Sequence, residues 1–153
     1  MKLVLDEWLW ADLVGDNGPE KLRQSFRFLE AVLERCDRIV IPAGTAFTRK
    51  MWDLCKRAER DQRLRGIVRF FLQKFAYNSS KSEKSAPPTN PPEGFEARAT
   101  IKPDDHYLVL SFQQSQADRL ITTDQPLISA LQDLGIPVVH RDDFLGEYLD
   151  TPR

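Results

Sequence analysis

The sequence predicts an α/β protein with a three-layer α/β/α fold built on a mostly parallel sheet of about five strands. Short runs rich in Val, Ile and Leu alternate with longer segments in which apolar residues repeat at the helical spacing. The strand candidates are apolar at consecutive positions, which is typical of strands buried on both faces. A chain of 153 residues is long enough to bury its own core, so we expect a single domain over residues 1–153.

In the N-terminal half, two predicted strands are each followed by two helices. The first strand ends in Asp6, Pro19 suits the first turn of a helix, and Gly44 precedes the next helix. We expect strands at residues 3–5 and 38–42, and helices at about 8–14, 19–36, 47–58 and 62–77.

In the C-terminal half, residues 78–96 change in composition to Ser, Lys, Pro, Asn and Glu. Proline fits neither a helix interior nor a central strand, so this segment is predicted to be a long flexible loop. Pro103 then begins a helix that should end near Gln116. The other expected elements are strands at 97–101, 120–123 and 136–139, and helices at about 127–134 and 142–149.

The net charge of −1 argues against a uniformly basic nucleic-acid binder, but the charge is unevenly distributed. Residues 49–74 hold nine Lys and Arg against three Asp and Glu, and residues 104–153 hold three against nine. A basic segment attracts phosphate and an acidic one can hold cations, which together suit a metal-dependent nuclease. A solvated helix face is the alternative interpretation of such a charge run.

Cys36 and Cys55 are too few and too far apart for a disulfide framework or a zinc site, and both fall in apolar helical patterns. We therefore expect two core cysteines in a reducing compartment. Asp6 interrupts the first apolar run, so we expect no signal peptide, and no run is long enough to span a membrane. These expectations favour a cytoplasmic protein without a membrane partner.

Acidic residues stand where the predicted strands end. Asp6 follows the first strand, Asp124 follows the strand at 120–123, and Asp105 lies at the start of the preceding helix. If these two strands are neighbours, the three carboxylates meet at the carboxyl edge of the sheet, where functional crevices lie. Such carboxylates either raise their own pKa values or hold a cation, and oxygen ligands without His or Cys select Mg²⁺ or Mn²⁺. The alternative role of Asp124 is a helix N-cap.

These motifs resemble a PIN domain, the fold of many small metal-dependent ribonucleases. The resemblance covers nearly the whole chain and rests on residues 3–6, 104–105, 117–124, 135–139 and 143–145. Its most specific part is the Thr-x-Asp motif from Thr122 to Asp124, which lies 19 residues after Asp105.

The resemblance implies an endoribonuclease that uses Mg²⁺ or Mn²⁺ and an activated water to cleave single-stranded RNA. It implies metal-binding and catalytic roles for Asp6, Asp105 and Asp124. Asp104 is a further metal candidate, and Thr122 would support the strand end. Because many small PIN proteins are toxins, the resemblance also admits a small antitoxin-like protein or a second copy of the chain as a partner.

The chain departs from the family pattern at the helix after the second strand. PIN nucleases usually carry a Glu there, whereas residues 42–49 contain no acid. Thr45 or Thr48 could supply a hydroxyl but not a charge, and Asp104 or Glu7 could compensate. The alternative function is therefore a catalytically weak or inactive PIN-like module that binds nucleic acid or protein.

Basic and aromatic side chains supply the remaining candidates. His106, beside Asp105, could act as a general base, but a surface helix position is the favoured interpretation. Trp8 and Trp10 could stack on bases, although core positions are favoured for both. We expect six basic residues on outer helix faces to carry the RNA backbone: Arg49, Lys50, Lys56, Arg57, Arg60 and Arg63.

Overall fold

The computed structural model describes residues 1–86 and 101–151, which form five strands and seven α-helices. The strands are β1 (Lys2–Leu5), β2 (Arg38–Pro42), β3 (Ser82–Ser85), β4 (Arg119–Thr122) and β5 (Val138–His140). The helices are α1 (Trp8–Val14), α2 (Pro19–Glu34), α3 (Ala46–Ala58), α4 (Gln62–Phe71), α5 (His106–Ser115), α6 (Gln125–Asp133) and α7 (Arg141–Asp150). A π-helical turn at Leu72–Ala76 follows α4, and a 3₁₀ turn at Pro103–Asp105 precedes α5. None of the helices in these two ranges is long and apolar enough to cross a membrane.

The strands form one parallel sheet in the order β3-β2-β1-β4-β5. Consecutive residues of the central strand β1, namely Leu3, Val4 and Leu5, are at most 1% exposed. Because successive strand residues point to opposite faces, burial of all three means that both faces of the sheet are covered. Helix α5 packs across β1, β2, β3 and β4. The predicted three-layer α/β/α fold with a five-stranded parallel sheet is confirmed.

The third strand is not the one predicted. β3 lies at Ser82–Ser85, inside the segment 78–96 that was predicted to be a loop, so that prediction was wrong for these residues. The rest of that loop beyond Ala86, and the strand predicted at 97–101 apart from Ile101, lie outside the described residues. β3 pairs with β2 at the edge of the sheet, and its sequence Ser-Glu-Lys-Ser contains no apolar residue. Without an apolar pattern, backbone pairing alone leaves no signature in the sequence.

The prediction that both cysteines belong to the core was wrong. Cys36 is exposed, because α2 ends at Glu34 and the buried stripe of that helix ends with it. Cys55 is only half-buried, since it lies beside the stripe of α3 that faces the core. That stripe consists of Phe47, Met51, Leu54 and Ala58.

A buried ion pair joins the C-terminal helix to α1 and α2. Arg141 Nη2 lies 2.7 Å from Asp12 Oδ2, and both side chains are at most 2% exposed. The Ser25 hydroxyl donates to the same carboxylate at 2.7 Å, and the guanidinium also donates to the Lys21 carbonyl at 3.2 Å. A charge pair at this depth is tolerated because its polar atoms have partners. The pair therefore fixes the start of α7 against α1 and α2.

Candidate active site

Asp6 and Thr122 stand side by side at the carboxyl ends of the two central strands. Leu5 of β1 is in register with Ile121 of β4, and the Asp6 amide donates to the Ile121 carbonyl at 3.1 Å. The buried Thr122 hydroxyl donates to Asp6 Oδ2 at 2.6 Å. The strands that end in Asp6 and in the Thr-x-Asp motif are thus neighbours, as the predicted convergence of the acids requires.

Asp124 follows β4 and is the N-cap of α6. Its Oδ1 atom accepts a hydrogen bond from the Leu127 amide at 3.0 Å, and its own amide donates to the Thr122 hydroxyl at 3.1 Å. The capping role is therefore confirmed. Within residues 1–86 and 101–151, Oδ2 of Asp124 accepts no hydrogen bond. A single oxygen makes the cap, so capping leaves the second oxygen for another ligand.

Asp105 lies in the 3₁₀ turn before α5 and shares its electrostatic environment with the other acids. Burial makes the largest contribution and raises the pKa of Asp105. The negative charge of Asp124 raises this pKa further, while the positive charge of Lys102 lowers it. Glu7 and the exposed Asp104 add smaller contributions in the same direction. The structure therefore brings Asp105 within electrostatic range of Asp124 although the two residues lie on different elements.

Asp6 has the most perturbed carboxyl group of the site. Burial raises its pKa to about 6. Hydrogen bonds from the Thr122 hydroxyl and the Glu7 amide favour the ionised form, but the charges of Glu7 and Asp105 oppose it. At neutral pH this carboxylate is ionised at a cost in free energy, and a bound cation would reduce that cost.

Glu7 adds a fourth carboxylate, which the sequence suggested only as a compensating acid. The buried Tyr107 hydroxyl donates to Glu7 Oε2 at 3.4 Å, and Lys50 Nζ lies 3.2 Å from Glu7 Oε1. Burial raises the pKa of Tyr107 well above its usual range, and the charges of Asp6 and Glu7 raise it further. Sequence analysis missed Tyr107; the available signal was a tyrosine in a buried helix stripe, whose hydroxyl needs a partner.

The first turn of α3 contains no carboxylate, and its two threonines form a capping box. The Thr45 amide donates to Thr48 Oγ1 at 3.1 Å, and the Thr45 hydroxyl donates to the Pro42 carbonyl at 2.8 Å. Both threonines are at most 5% exposed. Their hydroxyls therefore stabilise the start of α3, and the additional carboxylate near Asp6 comes from Glu7.

The remaining candidates, His106 and the two tryptophans Trp8 and Trp10, form hydrogen bonds with backbone carbonyls. His106 Nε2 lies 3.1 Å from the Ile101 carbonyl. The indole N–H groups of Trp8 and Trp10 each donate to a backbone carbonyl at 3.0 Å, and both side chains are 5% exposed. The favoured core positions of the two tryptophans are confirmed.

The predicted RNA-binding residues lie on the exposed surface of α3 and α4 and the turn between them: Arg49, Lys50, Lys56, Arg57, Arg60 and Arg63. Lys50 and Arg57 line a groove of about 370 Å³ between α1 and α3, together with the acids Glu7, Asp16 and Asp53. A larger groove of about 670 Å³ runs along α2 and the end of α7, but it contains none of the predicted site residues. The smaller groove is therefore the one that connects the basic surface with the acids.

Several carboxylate oxygens of the site already have hydrogen-bond or ion-pair partners within the protein. Asp6 accepts two hydrogen bonds, Glu7 pairs with Lys50, and Asp124 caps α6. Within the described residues, no three Asp, Glu, His or Cys side chains form a ready group of metal ligands. The donor chemistry nevertheless suits Mg²⁺ or Mn²⁺, because every charged donor is a carboxylate and the pKa values of Asp6 and Asp105 are raised partly by other acids.

Fold and site together define an α/β protein with carboxylates gathered at the carboxyl ends of neighbouring parallel strands. Comparison with protein-family models finds none that matches the chain, and comparison with curated proteins finds no significant match. The function therefore has to be inferred from the residues of the site.

Proposed function

We propose that the protein is a PIN-like ribonuclease that uses Mg²⁺ or Mn²⁺ to cleave single-stranded RNA. The observation that supports this most is that the Thr122 hydroxyl joins Asp6 at the end of β1 to Asp124 after β4. Besides burial, the charges of Glu7 and Asp105 raise the pKa of Asp6, and those of Asp124 and Glu7 raise the pKa of Asp105. Like charges in one place lower stability unless a cation neutralises them. Helix capping accounts for one oxygen of Asp124, and Lys50 and Tyr107 are partners of Glu7, but these contacts do not offset the burial and repulsion that raise the pKa values of Asp6 and Asp105.

Three acids would hold the ion: Asp6, Asp105 and Asp124. When bound, a divalent ion neutralises phosphate charge and lowers the pKa of water. The chain contributes the orientation of these groups, since the Thr122 hydroxyl bonds both Asp6 Oδ2 and the Asp124 amide. The Tyr107 hydroxyl in turn orients Glu7.

The basic surface would bring the substrate to these acids. Lys50 and Arg57 line the groove that includes Glu7, Asp16 and Asp53. The charges of the whole basic surface, rather than those of the groove alone, would attract the phosphates of a single strand. Phosphate contacts position a strand without reading its sequence, so we expect little base preference from this groove.

The proposal is tested with the purified chain and a 5′-labelled single-stranded RNA in Mn²⁺. Cleavage should stop with EDTA, and Asp6→Asn and Asp124→Asn should each reduce it by at least about a hundredfold, as expected when an ion that organises the reaction is lost. Asp133→Asn is a matched control because this exposed acid lies at the end of α6, away from the motif. Cleavage that survives both site substitutions would reject the assignment.

The alternative is a catalytically weak or inactive PIN-like module that binds nucleic acid or a protein. The absence of an acid in the first turn of α3, where Thr45 and Thr48 are used for capping, favours it. Calorimetry discriminates between the two functions: no heat at millimolar Mg²⁺ or Mn²⁺, together with retained RNA binding, selects the module. Under either function a small antitoxin-like protein or a second copy of the chain is a candidate partner.

A further inference from the structure

Trp52 is an exposed aromatic residue on the outer surface of α3. Its side chain is 47% exposed, whereas Trp8 and Trp10 are 5% exposed and donate hydrogen bonds to backbone carbonyls. Among the residues that the structure describes, Trp52 makes no hydrogen bond and no aromatic ring contact. The core therefore does not account for this indole.

Cations flank Trp52 on both sides along the helix. Arg49 precedes it by three residues and Lys56 follows it by four, so both are its neighbours on the helix surface. Both are exposed, and in the two described ranges neither forms an ion pair or a side-chain hydrogen bond. Arg49 and Lys56 are seven residues apart, which corresponds to about 10 Å along the helix axis. The Cα atom of each basic residue is thus about 5 Å along the axis from that of Trp52.

This arrangement suits a single nucleic-acid strand. Proteins that bind single strands combine a basic surface for the backbone with aromatic rings on which bases stack. Protein interfaces instead have few charged residues at their core, and the exposed neighbours of Trp52 at these helical spacings are charged. The nearest acids are the exposed Asp53, which is the next residue but points about 100° away around the helix, and Glu59, which lies seven residues beyond Trp52 on the same stripe.

The basic surface continues from Trp52 to the groove beside the acids. Lys50 lies two residues before Trp52, which places it about 160° around the helix from Trp52 along the exposed surface. At about 100° per residue, Arg49 and Arg57 occupy the exposed surface between those two directions, one on each side of the exposed Asp53, so that the cations outnumber the acids along this arc. A strand that stacks on Trp52 can therefore follow cations around α3 to Lys50, which contacts Glu7.

We propose that Trp52, with Arg49 and Lys56, forms a stacking platform for one base of single-stranded RNA. The platform rests on the proposed ribonuclease function and adds a contact that holds the strand outside the acidic site. Stacking involves the face of a base, which every base has, so the platform accepts all four bases.

The experiment measures binding of the full chain to a twelve-residue oligouridine RNA in EDTA, where metal-dependent cleavage is absent. RNA should quench the emission of the exposed indole. Trp52→Leu should weaken binding by about fivefold or more, while Trp52→Phe should retain most of the affinity. Because stacking releases no counterions, Trp52→Leu should leave the dependence of log Kd on log salt unchanged. Changing Arg49 and Lys56 to Gln should lower that slope by about 1.4, at roughly 0.7 per phosphate contact.

Two controls separate base stacking from a general loss of exposed aromatic surface and from contacts to the RNA backbone. Tyr77→Leu removes an exposed aromatic that lies outside α3 and should leave binding unchanged. An abasic twelve-residue RNA should bind the wild type about as weakly as oligouridine binds the Trp52→Leu variant. Equal melting temperatures of the wild type and Trp52→Leu would show that the variant is folded.

Three outcomes would overturn the platform. Oligouridine binding that is unchanged in Trp52→Leu would reject it while leaving the ribonuclease proposal intact. A wild type that neither binds nor cleaves RNA would reject both proposals. A wild-type dimer in sedimentation that becomes monomeric in Trp52→Leu, with unchanged RNA affinity, would identify Trp52 as a protein contact.

Discussion

The Thr122 hydroxyl donates a 2.6 Å hydrogen bond to Asp6 Oδ2, which joins residues 116 positions apart at the ends of β4 and β1. The same hydroxyl oxygen accepts the Asp124 amide at 3.1 Å. One buried hydroxyl therefore orients two of the acids in the proposed metal site. A change at Thr122 should disturb the site more than the fold.

Thr122→Val keeps the shape of the side chain but removes both hydrogen bonds. The pKa of Asp6 should rise further, since the bond from Thr122 favours its ionised form. The Asp124 amide would also lose its partner, which costs about 1–3 kcal/mol when the group is buried. The acid limb of the pH profile of Mn²⁺-dependent cleavage should therefore move to higher pH, and Thr122→Ser should restore it. An unchanged profile would mean that Thr122 contributes only packing.

Asp6→Asn should stabilise the metal-free protein. The pKa of Asp6 is about 6 in the folded state and about 4 in an unfolded chain, so the folded state binds this proton more tightly. The contribution of Asp6 to stability is therefore greatest below about pH 4, falls as the pH rises to about 6, and stays low above that. At pH 7 in EDTA the gain should be at most about 3 kcal/mol. Urea unfolding at pH 4 and pH 7 checks this, and a variant that is less stable at pH 7 would contradict it.

Substitutions at Asp124 should separate its role as the N-cap of α6 from its proposed role as a metal ligand. Asn caps helices about as well as Asp, so Asp124→Asn should leave the melting temperature nearly unchanged in EDTA. Asp124→Ala should lower the stability by about 1 kcal/mol because the bond to the Leu127 amide is lost. Both variants should lose Mn²⁺-dependent cleavage. If Asp124→Asn kept full activity, the cap would be the whole role of this residue.

The predictable parts of this protein are those that leave a local pattern. β1 and β4 are apolar at consecutive positions, and the placement of Asp6 and Asp124 at one edge follows once these strands are parallel neighbours. β3 has no such pattern, because residues Ser82–Ser85 are polar. These residues form a strand because their backbone pairs with β2.

Contacts between elements that are far apart in the chain could not be predicted from the sequence either. The bond from Tyr107 to Glu7 spans 100 residues, and the bond from Arg141 to Asp12 spans 129. Each depends on how helices pack on the finished sheet, and no single segment encodes that packing.

The buried pair of Arg141 and Asp12 should be the most sensitive polar contact in the fold. Asp12→Ala removes the buried one of the two carboxylates that Arg141 contacts and leaves the exposed Asp142, so the free energy of unfolding should fall by about 3 kcal/mol, the lower end for a broken buried pair. The double variant Asp12→Leu with Arg141→Met replaces the pair by apolar groups and should lose less than the two single variants combined. A double-mutant cycle in urea measures this, and additive losses would show that the two charges do not depend on each other.

A carboxylate introduced at Ala46 should stand in for the Glu that the PIN pattern carries at the start of this helix and that α3 lacks. This half-buried residue begins α3 and lies four residues before Lys50, whose ammonium contacts Glu7, so both share the face of α3 that points toward the acids. Thr48 occupies the position where Glu forms a capping box, and a Glu there would be drawn to the Thr45 amide. Ala46→Glu should therefore tighten Mn²⁺ binding in calorimetry and increase cleavage, whereas Thr48→Glu and the uncharged control Ala46→Gln should do neither. If Ala46→Glu leaves both quantities unchanged, the absence of that acid does not limit the site.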